Sequence, residues 1–202
     1  MKLNKFKKML IRVVVIVGFF LTMLNNNNQV FASRTDSKWY YEDNLNVLSN
    51  ETKDKINEAN NNLEDNDEIF VLTVNNLEYD VKEYADKAFE KCGLESSNNK
   101  KDVLILLAKT SKGEQYLRII TSKGLDEILS DNKVNRIIED KMMPSFENNK
   151  VDEGIANGFT EIYKIIEKSE KREKEKADDN INLYLSSIIP FMFFMFFMSR
   201  DE

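Results

Sequence analysis

The chain contains no histidine. That removes Ser-His-Asp and Cys-His catalysis, His-ligated zinc and His-ligated haem together. A single cysteine, Cys92, leaves no intramolecular disulfide and no Cys-x-x-Cys redox or metal pair. Glycine is scarce, and Gly113, Gly124, Gly154 and Gly158 stand singly. No glycine-rich loop is therefore available to cradle a phosphate. Basic charge is in deficit too, with 29 Lys and Arg against 35 Asp and Glu and a net charge of −6. The first 32 residues hold five cations and no acid, so without them the net charge becomes −11. So acidic a surface is repelled by phosphate backbones, which argues against nucleic-acid binding.

What is present concerns location first. Lys2, Lys5, Lys7, Lys8 and Arg12 precede an apolar stretch from Val13 to Leu24. A polar segment follows, and then Val30-Phe31-Ala32. This is the layout of a secretory signal peptide, residues 1–32, cleaved after Ala32. At the other end, residues 181–198 are apolar on every face and about 27 Å long as a helix. That is close to the ~30 Å of a bilayer core, so 181–198 is expected to be a single transmembrane helix. Residues 169–180 form a charged linker before it, and 199–202 a cytoplasmic tail. The cations of 168–176 argue for a cytoplasmic domain by the positive-inside rule. The signal commits the domain to export before the span emerges, so the expected localisation is the cell membrane, single-pass, with the domain extracytoplasmic.

Between the two ends, residues 33–168 read as one domain. Glu51–Leu63 is an amphipathic helix entered through the cap oxygens of Ser49 and Asn50. Ile69–Val74 and Val103–Ala108 are short apolar runs with the character of buried strands. Val81–Lys91 has helical spacing, with Gly93 as its C-terminal stop. Ser111–Glu114 is a hairpin turn leading to a strand over Tyr116–Thr121. Trp39-Tyr40-Tyr41 fits an edge strand better than an exposed binding surface. A short helix is expected over Gly124–Leu129, another over Asn132–Met143 ended by Pro144, and a long one from Val151 to about Glu167. The expected fold class is α/β, a mixed central sheet sandwiched between helices.

Several of these segments, in this order, resemble the TPM domain family. Asp43 to Ser49 is similar to its opening "D-x-x-x-V-L-S". Glu83-Tyr84-Ala85, Phe89 and Cys92-Gly93-Leu94 resemble "E-Y-A … F … W-G-I-G". Val103–Ala108 is similar to "G-V-L-I-L-L-A", and Gly124-Leu125-Asp126 with Asp131 to "G-L-E … L-x-D". Pro144-Ser145-Phe146, Gly154-Ile155 and Gly158 resemble "P-x-F … G-i-x-x-G". The resemblance spans about Trp39 to Lys168. It implies an α/β sandwich. Relatives include thylakoid-lumen proteins of photosystem repair and an accessory subunit of a nematode acetylcholine receptor. Acid phosphatase activity and divalent-metal binding have been proposed for some members. Lys100-Lys101-Asp102 stands where relatives carry Asp-Asn-Gly, and Cys92 and Glu95 stand where they carry tryptophan and the second glycine.

Calcium or magnesium requires several converging oxygens. Asp43, Glu95, Asp102, Asp126 and Asp131 lie at element ends, and Asp43, Asp102 and Asp131 are the metal candidates. The alternative is that they cap turns and helices, with Asp131 as an N-cap. Lys100 and Lys101 oppose a dication, so no cofactor is expected beyond weakly held calcium or magnesium. No catalytic residue can be named, because no nucleophile has a base beside it. The expected function is a membrane-anchored binding or accessory module for an envelope or membrane protein. The alternatives are a metal-assisted, acid phosphatase-like hydrolase and a structural envelope component.

Overall fold

The computed structural model describes residues 40–65, 67–78 and 80–198. The expected signal peptide and its cleavage site, and the tail 199–202, lie outside the described residues. The domain is built on a four-stranded sheet in the order β1-β2-β3-β4. Its strands are β1 (Tyr41–Asp43), β2 (Ile69–Leu77), β3 (Val103–Thr110) and β4 (Gln115–Thr121). β1 and β3 both pair parallel with β2, and β4 pairs antiparallel with β3. The aromatic entry thus does lead into a short edge strand at Tyr41.

The two apolar runs became strands because they bury both faces. Ile69, Val71, Val103, Ile105 and Leu107 point to one side, and Phe70, Leu72, Val74, Leu104, Leu106 and Ala108 to the other. The first face is covered by α1 (Asn50–Asn61) through Ile56, and by α5 (Val151–Met198) through Ile155, Phe159, Ile162 and Ile166. The second is covered by α2 (Val81–Lys91) through Ala85, Ala88 and Phe89. Period-two burial on both sides is what a helix–sheet–helix sandwich requires.

The helix ends follow local chemistry. Ser49 caps α1, its Oγ accepting from Thr52 N–H at 3.1 Å. Asp80 caps α2, accepting from Lys82 and Glu83 N–H. Gly93 closes α2 with φ +79°. Its N–H reaches the Glu90 carbonyl, and Leu94 N–H reaches that of Phe89, the paired bonds of a Schellman end.

The expected helix over Asn132–Met143 is broken in two. α3 (Asp131–Ile137) runs into a π-turn at Ile138–Met142, and α4 (Met143–Glu147) follows, with Pro144 in its first turn. Pro144 thus opens a helix rather than ending one, because a missing N–H is tolerated in a first turn. The inserted residue also corrects the pattern. Four residues after buried Ile137 would come Lys141, whereas the wider turn brings Met142 inward. Met142 and Phe146 then lie against Gly158 and Gly154 of α5, where any Cβ would strike their side chains.

α5 continues unbroken through residues 169–180 and onward to Met198, so the expected linker is helical. The packed part also runs past Lys168, since Glu170 is buried and Lys101 Nζ meets Glu173 at 2.7 Å. Residues 171–186 are exposed. Among the described residues no helix is long and apolar enough to cross a membrane. Of the expected span 181–198, the side chains of 187 and 190–198 lie outside the described residues.

Candidate functional site

In an open α/β sheet the crevice beyond the carboxyl ends of parallel strands is the usual ligand position. Here that crevice is a cleft of about 770 Å³. Leu77 and Thr110 contribute the ends of β2 and β3, Asp80, Val81 and Lys82 the start of α2, and Tyr116 and Arg118 the floor on β4. A register shift between Val74 and Leu77, with Asn76 at φ +55°, turns β2 as it enters this wall. Gly113 at φ +87° closes the β3–β4 turn, with its N–H on the Thr110 carbonyl.

The cleft carries both signs of charge. Lys82, Lys112 and Arg118 line it together with Glu78, Asp80 and Glu114. Tyr116 is 41% exposed, and its hydroxyl donates to Glu114 at 3.2 Å. That bond, followed by the carboxylate's charge, raises the phenol above its usual value. Tyr116 is therefore a neutral hydrogen-bonding aromatic at neutral pH. The arrangement suits recognition of a ligand with apolar and charged groups.

None of the three metal candidates lines this cleft. Asp43 ends β1, and its carboxylate accepts from Val47 and Leu48 N–H at 3.1 and 3.0 Å and from Thr73 Oγ1 at 2.9 Å. Lys53 Nζ adds an ion pair at 3.1 Å. Burial is the largest single influence and opposes ionisation. The bonds from Leu48, Val47, Thr73 and Lys53 together outweigh it and hold the carboxyl below its usual value.

Asp102 lies just before β3, 2% exposed. Its carboxylate accepts from Glu68 N–H at 2.9 Å and Glu95 N–H at 2.8 Å. Burial pushes it up despite those bonds. Asp43 aligns with Thr73 and through it with Leu107, five positions beyond Asp102. At ~3.3 Å per residue that is roughly 16 Å along the strands. Asp131 is exposed at the first position of α3, where Ser130 holds the N-cap and no side-chain cap bond forms. Ser130 thus stands where Asp131 was expected to cap. Among the described residues no group of three or more acidic or thiol side chains is placed to hold a metal ion.

What gathers around Asp102 is a buried acidic edge that the sequence reading missed. Asp67 accepts from Lys101 N–H at 2.9 Å, and Glu170 from Glu64 N–H at 3.3 Å. Burial raises both carboxyls. Lys101 Nζ crosses to Glu173, and Lys100 Nζ bonds the Asp65 carbonyl at 2.7 Å. Gly124 completes this edge. Its N–H meets the Ser97 carbonyl, and a Cβ there would strike the Lys100 carbonyl. The motif residues around Lys100 and Gly124 are thus packing partners. The signal for the edge was the acidic run 64–68 before β2 set against Lys100-Lys101 before β3.

The TPM domain sequence model matches residues 41–165. The chain belongs to the TPM domain family. The solution structure of the N-terminal domain of a protein from P. gingivalis is similar to this TPM domain. TM-score is 0.57 at 23% identity, with 67% of this chain and 86% of that one covered. That likeness supports the fold. The structure of the BA42 protein from the psychrophilic bacterium Bizionia argentinensis matches with TM-score 0.48 and 22% identity, covering 60% and 82%. No curated protein matches the chain significantly.

Proposed function

We propose that this TPM domain is a membrane-anchored, extracytoplasmic binding module that docks an envelope or membrane protein in the cleft at the carboxyl edge of its sheet. The course of α5 carries this reading. The helix begins beside β1, where Asp152 accepts from Ser49 N–H at 2.9 Å. It crosses the first sheet face and leaves at the opposite edge, where Glu170 and Glu173 meet Glu64 and Lys101. The cleft therefore lies at the far end of the domain from the point where α5 departs. From Glu173 to Ile181 the helix adds ~12 Å of exposed, charged stalk. A domain held this way presents its cleft away from the bilayer, at raised local concentration for partners in the same envelope. In this reading calcium and magnesium play no resident part, because Asp43 and Asp102 already accept backbone N–H groups.

Topology tests the reading. Protease added to intact cells is expected to digest the domain, while a tag fused after Glu202 stays protected. A protected domain with a digested tag overturns it.

A further inference from the structure

β4 is an edge strand of seven residues without proline, and its hydrogen-bonding parity follows from its ends. Thr110 N–H donates to Glu114 O, and Ser122 N–H to Asp102 O. The register between these pairs is unbroken. Hydrogen-bonded pairs alternate along an antiparallel ladder, so Tyr116, Arg118 and Ile120 bond β3. The N–H and C=O groups of Gln115, Leu117, Ile119 and Thr121 point outward. Among the described residues no strand or backbone bond meets them. A long open edge of this kind is a template for another strand.

The same edge has the opposite charge to the rest of the molecule. Between 109 and 123 lie Lys109, Lys112, Arg118 and Lys123 against one acid, Glu114. Tyr116 and Arg118 line the cleft, their side chains on the sheet face that α2 covers, opposite Ala108 and Leu106 in the register, so alternate side chains of a fifth strand beside β4 would share that face. We propose that β4 binds an extended acidic peptide segment by strand addition, the main chain pairing with Gln115, Leu117, Ile119 and Thr121 while alternate side chains enter the cleft and a carboxylate meets Arg118. This rests on the docking role of the cleft and names the partner's chemistry. A second copy fits less well. A two-fold pairing centred on β4 would set Arg118 opposite itself and join two basic hairpins, and like charges directly opposite destabilise.

The test uses the full chain in detergent micelles, with a synthetic octapeptide of alternating glutamate and valine. The peptide is expected to bind and to slow hydrogen exchange over 115–121. The lysine–valine counterpart, and the glutamate–valine peptide N-methylated at alternate residues, should each bind at least tenfold more weakly. Added salt should weaken binding. Arg118→Glu should lower affinity about tenfold while exchange over β3 stays at the wild-type rate. Leu117→Pro, which removes one outward N–H at an edge where proline is tolerated, should do the same. If Leu117→Pro does not fold, Arg118→Glu still decides. Equal binding of acidic and basic peptides, slowed exchange elsewhere than 115–121, or a dimer that alone accounts for the protection overturns the proposal. A partner that crosslinks to the cleft without slowing exchange at 115–121 overturns strand addition and leaves the docking role standing.

Discussion

Leu106→Asp is expected to abolish the cooperative thermal transition of the domain. Leu106 is fully buried on the face covered by α2, in the middle of the central strand β3, between Leu72 and Arg118 in the register. An aspartate there would bury a carboxylate among Phe70, Leu104 and Phe89, with the cross-strand Arg118 as its one cationic neighbour in the register, or would take up a proton to avoid the charge. Either costs several kcal/mol, against ~5–15 kcal/mol for a whole domain. A melt of the full-length variant in detergent, followed by circular dichroism, checks this. A wild-type transition would contradict the buried position of β3.

Asp102→Ala is expected to cost about 1–3 kcal/mol. The substitution leaves the buried Glu68 N–H without its acceptor, while the Glu95 N–H, in an exposed residue, can turn to water. Each buried donor left unpaired costs about 1–3 kcal/mol. The dependence on pH separates this from loss of a metal. Burial raises the Asp102 carboxyl in the folded state above its ordinary 3.8. A raised carboxyl contributes stability that is fully present below the unfolded value and lost as pH rises through the folded value. The gap between wild type and Asp102→Ala should therefore widen as pH falls toward about 4. Denaturant melts at pH 7 and pH 4.5 measure it. A gap that narrows on acidification, or that appears only with calcium present, would return Asp102 to the role of a ligand.

The strands were legible because β2 and β3 bury both faces, which forces continuous apolar sequence. α2 was legible from its helical spacing and from Gly93 at its end, while its cap, Asp80, emerged with the structure. The split at Ile138–Met142 was not. A π-turn changes the burial period by one residue, and from sequence alone Lys141 and Met142 cannot be ranked for the inward position. The placing of the acids failed for a different reason. Asp43, Asp102 and Asp131 all sit at element ends in the sequence, but which ends meet depends on strand order and direction. Only the parallel pairing of Ile69 with Val103 sets Asp67 beside Lys101 and leaves Asp43 at the other edge. The cleft was hidden likewise. Arg118 reads as one charge in an apolar strand, and its meaning comes from β4 lying at the edge.

The central claim is that the cleft bearing Tyr116 and Arg118 is where a partner docks. A photo-crosslinking amino acid placed at Tyr116, and separately at exposed Glu139 on the π-turn, tests it in native membranes. The account predicts a discrete adduct from position 116, lost on Arg118→Glu, and none from position 139. Equal labelling from both positions, or no adduct from 116 in membranes that hold the full-length chain, would contradict it.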